Sequence, residues 1–291
     1  MITMTKNYEE ATCVTHAGNF HADDCFGAAF LDKLYDNITL IRLKEYQDTN
    51  EKLTFDIGLG EFDHHGVNPK KREDNITYCG FGLLWQKFGR EYLKKINVSN
   101  IEDTFKVMDY LLVENIDAFD NGEMQLESNF NIYTIPSLIE MMRGEEIEKE
   151  DEYFLRATKF ASFLFDLILK TAINRVQVIE DIKNKEIKDK VLILDKFIPY
   201  EFAVFYLNLD VEFAVYPSNR GGYAARTIPT KYKGFTSKIP FKKEWGGLRD
   251  QELANISGIK TANFCHNKYF LFVAGTKEDA LKAIELTRKE K

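Results

Sequence analysis

The run at residues 11–15 is apolar, ends at His16, and reads as a short buried strand. A small turn, Ala17-Gly18-Asn19, follows, and Phe26, Phe30 and Leu34 then recur four apart, the spacing of one helix face. Residues 38–43 and 53–57 read as further strands, with Asp56 near the end of the latter. Gly58-Leu59-Gly60 allows a tight turn that brings residues 61–65 back past the same edge. Residues 81–96 are helical, and the stripe Phe81, Leu84, Trp85, Phe88, Tyr92 is core rather than a cofactor surface. Residues 101–119 form another helix with Phe105, Met108, Leu112 and Ile116 inward. Strand, glycine turn and helix in this order predict a parallel sheet whose carboxyl edge carries ligand-binding side chains.

The pattern then changes. Residues 143–152 are an acidic surface run, and residues 153–184 read as one long helix, with Phe160, Leu164, Ile168, Ala172, Val176 and Ile179 along it. A helix of that length after an α/β unit suggests a connector between domains, and the polar stretch 183–190 suggests a linker. Beyond it come strands at 191–194, 211–216 and 222–228, a helix at 199–207, and a short helix at 251–256. Strands near 262–265 and 269–274 and a helix at 277–289 complete a mixed order that fits a small α+β domain. The expected class is α/β: a parallel-sheet domain over residues 1–188, connector helix included, and a smaller α+β domain over 189–291.

Composition narrows the function. A net charge of −7 over 291 residues argues against broad non-specific binding to nucleic acid, though a local basic groove is compatible with it. The four cysteines are scattered with no CxxC pair, as in a reduced cytoplasmic protein. The opening residues are too polar for a secretory signal, and no run reaches the roughly 18 apolar residues of a membrane span.

Four of the five histidines, His16, His21, His64 and His65, fall in the first quarter of the chain, interleaved with Asp23, Asp24, Asp56 and Asp63. Adjacent histidines behind an aspartate suit a poor core segment and a good metal edge, because imidazole and carboxylate together bind Mn, Zn or Fe-type ions. A lone histidine is more often a hydrogen-bonded structural residue, but four of them beside carboxylates at strand ends favour ligation. His16, His21, Asp23, Asp56, His64, His65 and Asp117 are too many groups for one ion, so two ions with Asp56 as the bridge fit better. Asp117 and Asp120 share a helix face just before Gly122, where a bound cation would offset the unfavourable dipole. Two cations about 3.5–4 Å apart suit hydrolysis at phosphorus.

These blocks resemble the motifs of the DHH phosphoesterase superfamily. More narrowly, Thr15-His16-Ala17-Gly18-Asn19-Phe20-His21-Ala22-Asp23-Asp24, Glu61-Phe62-Asp63-His64-His65 and residues 116–122 resemble the Myg family of metal-dependent hydrolases, with Asp24 where that family usually has Glu. Trp245-Gly246-Gly247-Leu248-Arg249-Asp250, Ser257-Gly258-Ile259 and Phe264-Cys265-His266 extend the resemblance over nearly the whole chain. It implies that His16, His21 and Asp56 hold one ion and that Asp23, Asp56, His64 and Asp117 hold the other, with Asp120 replacing or supporting Asp117. The ions would be two Mn, with Mg, Zn or Co as alternatives. Asp63 would orient its neighbouring histidine, and His65 would face the substrate phosphate. Asp56, Asp63, His64 and His65 then form the catalytic set, and Arg226, Arg249 and His266 are the substrate contacts of the second domain. The chain departs from the family at Asn267-Lys268-Tyr269-Phe270, where a small residue and a glycine-flanked aromatic are usual. The implied activity is an exonuclease-type phosphodiesterase on RNA or DNA ends, with no membrane partner and room for a homodimer. A small-molecule phosphatase or pyrophosphatase, or a non-catalytic metal-binding regulator, are the alternatives.

Overall fold

In the computed structural model, which describes residues 2–289, four short strands form a first, fully parallel sheet. They are β1 (Thr3–Met4), β2 (Cys13–His16), β3 (Thr39–Leu43) and β4 (Leu53–Thr54), in the order β1-β3-β2-β4. From β2 the chain passes through helix α1 (Ala22–Tyr35) to β3 on one side, and from β3 it crosses to β4 on the other. The carboxyl end of β2 is therefore a topological switch point, the place where open α/β sheets leave a crevice. His16 ends β2, opposite Leu43 of β3.

Every residue of α1 from Ala22 to Leu31 is buried, as expected of a helix apolar on all sides. Gly27 lets it approach the sheet: a Cβ there would lie 3.0 Å from the Phe55 ring. Helix α2 (Gly80–Lys95) supplies Phe81, Trp85 and Tyr92, which enclose Phe30 at ring-centroid distances of 5.5–6.3 Å. The helix expected over 101–119 is α3 (Ile101–Met108), one π-helical turn (Asp109–Val113) and α4 (Glu114–Asp120). The inserted turn has no hydrophobic-period signal, which is why the pattern reads straight through it. Helix α5 (Ile135–Glu140) was not anticipated, although Thr134 capping Ser137, with Pro136 in the first turn, announces it. Helix α6 (Glu150–Lys183) starts three residues earlier than the apolar pattern suggests, because its first turn is the acidic triplet Glu150, Asp151, Glu152.

The chain separates into two compact units, one up to Val176 and one from Gln177 on. The second contains a mixed six-stranded sheet: β5 (Ile187–Lys188), β6 (Val191–Ile193), β7 (Phe213–Pro217), β8 (Tyr223–Thr227), β9 (Ala262–Cys265) and β10 (Leu271–Ala274), in the order β5-β6-β7-β8-β10-β9. Only β6 and β7 pair in parallel. The polar stretch 183–190, expected as a linker, instead carries β5, whose backbone pairs with β6 while both its side chains stay exposed. Helices α7 (Glu201–Tyr206), α8 (Asp250–Ser257) and α9 (Lys277–Arg288) complete the unit, and Phe213, Phe241, Trp245 and Phe272 fill its core. All four cysteines are buried and free.

Phe165 of α6 meets Phe30, Phe81, Trp85 and Tyr92 at centroid distances between 5.7 and 6.5 Å, so one ring fastens this helix to α1 and α2. Phe165→Ala is expected to cost about 3–5 kcal/mol, read from the denaturant midpoint of the full chain. A loss below about 1 kcal/mol would show that this packing is not what holds α6 in place.

Candidate metal centre

The two sheet-edge histidines are aimed by their own backbones and neighbours. His16 Nδ1 lies 3.1 Å from the carbonyl of Ala17, which can only accept, so Nδ1 carries the hydrogen and Nε2 turns inward. His64 is fixed in the same tautomer by Asn121 Oδ1 at 3.2 Å, because the Asn121 amide nitrogen already donates to the carbonyls of Thr77 and Asp117. Between the two rings stands Asp56. Its Oδ2 is 3.2 Å from His16 Nε2 and its Oδ1 is 3.1 Å from His64 Nε2. Asp56 sits at φ +54°, a left-handed conformation uncommon outside glycine. It is held there because its N–H donates to Phe62 O at 2.9 Å while Phe55 bridges Phe62. At Gly58 (φ +88°) a Cβ would lie 2.8 Å from the Asp48 backbone nitrogen, so this return turn requires glycine.

Helix α1 contributes carboxylates from its first turn. Asp24 Oδ2 is 2.8 Å from His16 Nε2, while its Oδ1 accepts the N–H of His21. Asp23 is fully buried. One of its oxygens accepts the Gly80 N–H at 3.3 Å and the other, Oδ1, has no hydrogen-bond partner. From the end of α4, Asp120 Oδ2 reaches within 3.3 Å of His64 Nε2. Three sets of donors converge, each with ligand atoms within 4.8 Å of one another: His16, Asp24, Asp56; Asp56, His64, His65; and His21, Asp23, Asp120. Apart from the deeply buried Asp23 and Asp24, these side chains line one pocket of about 1190 Å³. An orphaned buried carboxylate oxygen, beside three more carboxylates and imidazoles that present Nε2, is a donor set that fits divalent cations.

The electrostatics agree. Burial raises the Asp23 carboxyl well above its ordinary range, and the charges of Asp56, Asp120 and Asp24 raise it further. Burial alone would lower the His16 pKa, but Asp24 and Asp56 outweigh it and lift it to about 11. Against the same opposition His64 is lifted to about 9, chiefly by Asp56. Asp56, despite burial, is held below the usual carboxylate range by those two histidines.

Three sequence-derived placements read differently in the structure. Asp117, expected as a ligand, is not part of any of the three sets. Its Oδ2 takes Arg72 Nη2 at 2.6 Å and Nε at 2.8 Å, and its Oδ1 accepts the backbone N–H of Cys79 at 3.0 Å. Arg72 is held in turn by Asp109 of the π turn. The two aspartates lie on one helix but only Asp120 looks into the pocket. Asp63 holds His65, at 2.7 Å, rather than His64, which Asn121 holds. Asp24, which the sequence pattern set among the carboxylates beside the histidines but outside the expected ligand sets, is the acid nearest His16. Its position beside Asp23 in a helix first turn was the available signal.

The substrate contacts expected in the second unit do share a pocket there. Arg226, Arg249 and His266 line a cavity of about 780 Å³ with Arg220, which sequence reasoning did not select. Arg226 lies over Phe270 and Arg249 over Phe264, at 5.5 and 4.7 Å from the ring centroids. Glu201 approaches Arg226 to 3.8 Å, and Tyr216 is a further hydrogen-bond partner of that guanidinium.

The family model of the uncharacterised protein family UPF0160, MYG1_exonuc, matches residues 12–287. The chain belongs to the MYG1 family. It is 25% identical to the MYG1 protein of Dictyostelium discoideum over 94% of each chain, and 26% identical to a MYG1 protein of Saccharomyces cerevisiae over 91% of each. The mouse relative, a MYG1 exonuclease, is 22% identical over 94% of this chain and 83% of its own. No solved structure matches the chain.

Two outcomes test the centre of this MYG1-family chain. Ligation needs neutral imidazole, whereas His16 and His64 hold their protons to about pH 11 and 9 in the metal-free protein. Mn binding at pH 7 should therefore release about two protons, and its affinity should rise with pH. Calorimetry in buffers of different ionisation enthalpy reads the number directly; zero release would show that these histidines stay out of coordination. Arg72→Met leaves Asp117 buried without its cation and should destabilise the fold by about 3–5 kcal/mol. Asp120→Asn should instead lower metal content with little loss of stability, and the reverse pattern would return Asp117 to the centre.

Proposed function

We propose that this chain is a metal-dependent phosphodiesterase of the DHH type that removes nucleotides from the ends of RNA or DNA. The observation that carries the reading is the geometry of Asp56, one buried carboxylate with an imidazole nitrogen at each oxygen. The exonuclease name of the mouse relative supports a nucleic-acid substrate, and no helix among the described residues is long and apolar enough to cross a membrane. His16, Asp24 and Asp56 would hold one divalent ion, and Asp56, His64, Asp120, Asp23 and His21 would hold the second, Mn at both. Such ions supply a water nucleophile at neutral pH and neutralise charge at phosphorus.

The chain's own groups do the remaining work. His65 is more than half exposed in the pocket, and Asp63 Oδ1 receives its Nδ1 hydrogen while Asp63 Oδ2 accepts the Leu59 N–H. The Asp63 hydrogen bond raises the His65 pKa above its ordinary value, which favours an imidazolium able to give its proton to the leaving oxygen. In the second unit, Arg226, Arg249 and His266 over their aromatic partners would take phosphate and base.

Metal-stripped protein refilled with Mn should trim an end-labelled RNA stepwise. His65→Ala should lower kcat by about 10²–10⁴-fold while keeping its metal, and Asp56→Asn should lose both metal and activity. Cleavage of bis-p-nitrophenyl phosphate without cleavage of RNA would move the reading to a small phosphoester substrate. No cleavage of either with any divalent ion would overturn catalysis altogether.

A further inference from the structure

The metal pocket is acidic almost throughout. Asp48, Asp56, Asp63, Asp120 and Glu140 line it, and Lys44 is the only lysine or arginine that does. Lys44 immediately follows β3, where Leu43 pairs with His16 and accepts the Ala17 N–H at 2.7 Å. That register places it beside the turn that ends in His21. It is exposed, and no ion pair or hydrogen bond engages its ammonium among the described residues. A lysine among five carboxylates would ordinarily pair with one of them.

Lys44 also lines a side pocket of about 250 Å³ with Gly18, Asn19 and Phe20. The other charged groups there are already committed. Arg143 donates to Phe20 O, Glu150 accepts the Gly18 N–H and pairs with Arg42, and Glu146 pairs with Lys149. Gly18 has open space where a Cβ would be, so the pocket floor is clear. One unengaged cation therefore stands where the metal pocket meets a small cavity floored by a glycine turn.

We propose that Lys44 binds a second phosphate of the substrate, next to the one being cleaved, and so selects substrates with neighbouring phosphates over lone phosphodiesters. This rests on the phosphodiesterase reading. A lone phosphodiester can be neutralised by the metal centre and met by His65, but a second phosphate entering this acidic pocket finds Lys44 as the one lysine or arginine lining it. An ammonium donating to phosphate is a charge-assisted bond, so its removal should weaken binding of the second phosphate by about 10- to 100-fold. The second phosphate can come from a 5′-terminal phosphate or from the adjoining linkage of a longer strand.

The test uses full-length Mn-loaded protein and three ligands: a dinucleotide without terminal phosphate, the same dinucleotide with a 5′-phosphate, and an unphosphorylated trinucleotide. Binding is read with fluorescent, phosphorothioate-linked analogues that resist hydrolysis, and KM and kcat with the natural linkages. Wild type should bind one or both two-phosphate ligands at least about tenfold more tightly than the plain dinucleotide. Lys44→Ala should erase that margin while leaving the plain dinucleotide and kcat unchanged, and Lys44→Arg should restore it. A preference for the phosphorylated dinucleotide alone identifies a terminal phosphate, and one for the trinucleotide alone identifies the adjoining linkage. A margin that survives Lys44→Ala, no margin in wild type, or an equal loss on all three ligands overturns the proposal. Binding with the expected margin but no hydrolysis by wild type would retire the phosphodiesterase reading and leave the Lys44 assignment standing.

Discussion

Four carboxylates, Asp23, Asp24, Asp56 and Asp120, converge at the end of one parallel sheet, and three of them are buried. Their mutual repulsion in a poorly solvated site is the constraint on which the rest of the architecture depends. Protons on His16 and His64 relieve it in part, and the same repulsion, added to burial, pushes the Asp23 carboxyl up. Divalent cations would relieve it more fully, because they meet several oxygens at once and leave the histidines neutral. The folded chain stores an unfavourable arrangement that a ligand of the right charge resolves, which is the usual relation between a strained site and its function.

The sheet makes that arrangement possible. β2 delivers His16 at a switch point, α1 starts there with its favourable dipole end toward Asp23 and Asp24, and β4 leads into Asp56 in a left-handed conformation. Only the return through residues 58–62, fixed by the Asp56–Phe62 hydrogen bond, lets His64 face the far side of Asp56. The aromatic packing of Phe30 against Phe81, Trp85 and Phe165 lies behind, and Phe30 belongs to the helix that carries Asp23 and Asp24, so core and centre share one rigid element.

Much of this was legible in the sequence because the strands, turns and helices of the first unit follow simple periods. His16, His21, Asp23 and Asp56 sit at or just past strand ends or at a helix start, and there spacing translates directly into position, whereas His64 lies in the loop that follows Phe62. The choice between Asp117 and Asp120 was not legible, since both lie near the end of one helix. What distinguishes them in the structure is Arg72, distant in sequence, which engages Asp117 and, on its other side, Asp109 of the π turn. Likewise Asp63 takes His65 two residues on while Asn121, distant in sequence, takes His64, and no local rule assigns that second partner. Strand β5 escaped because a two-residue edge strand with exposed side chains has no hydrophobic alternation to show.

The arginines around the centre explain why it stays short of positive charge. Arg42 donates to the carbonyls of His16 and Gly18, at 3.1 and 2.8 Å, and so sets the turn that carries the ligands. Its charge is answered from outside by Glu150 at 3.1 Å and Asp151 at 3.6 Å. Arg72 is shared between Asp117 and Asp109 in the same way. Each guanidinium fixes geometry while an acid beyond the centre neutralises it. Had either pointed its free charge at Asp56 or Asp23, it would have satisfied those carboxylates and competed with a metal for them. The structure spends these two guanidinium groups on backbone and helix placement, and that leaves the inner carboxylates in a geometry a divalent cation could enter.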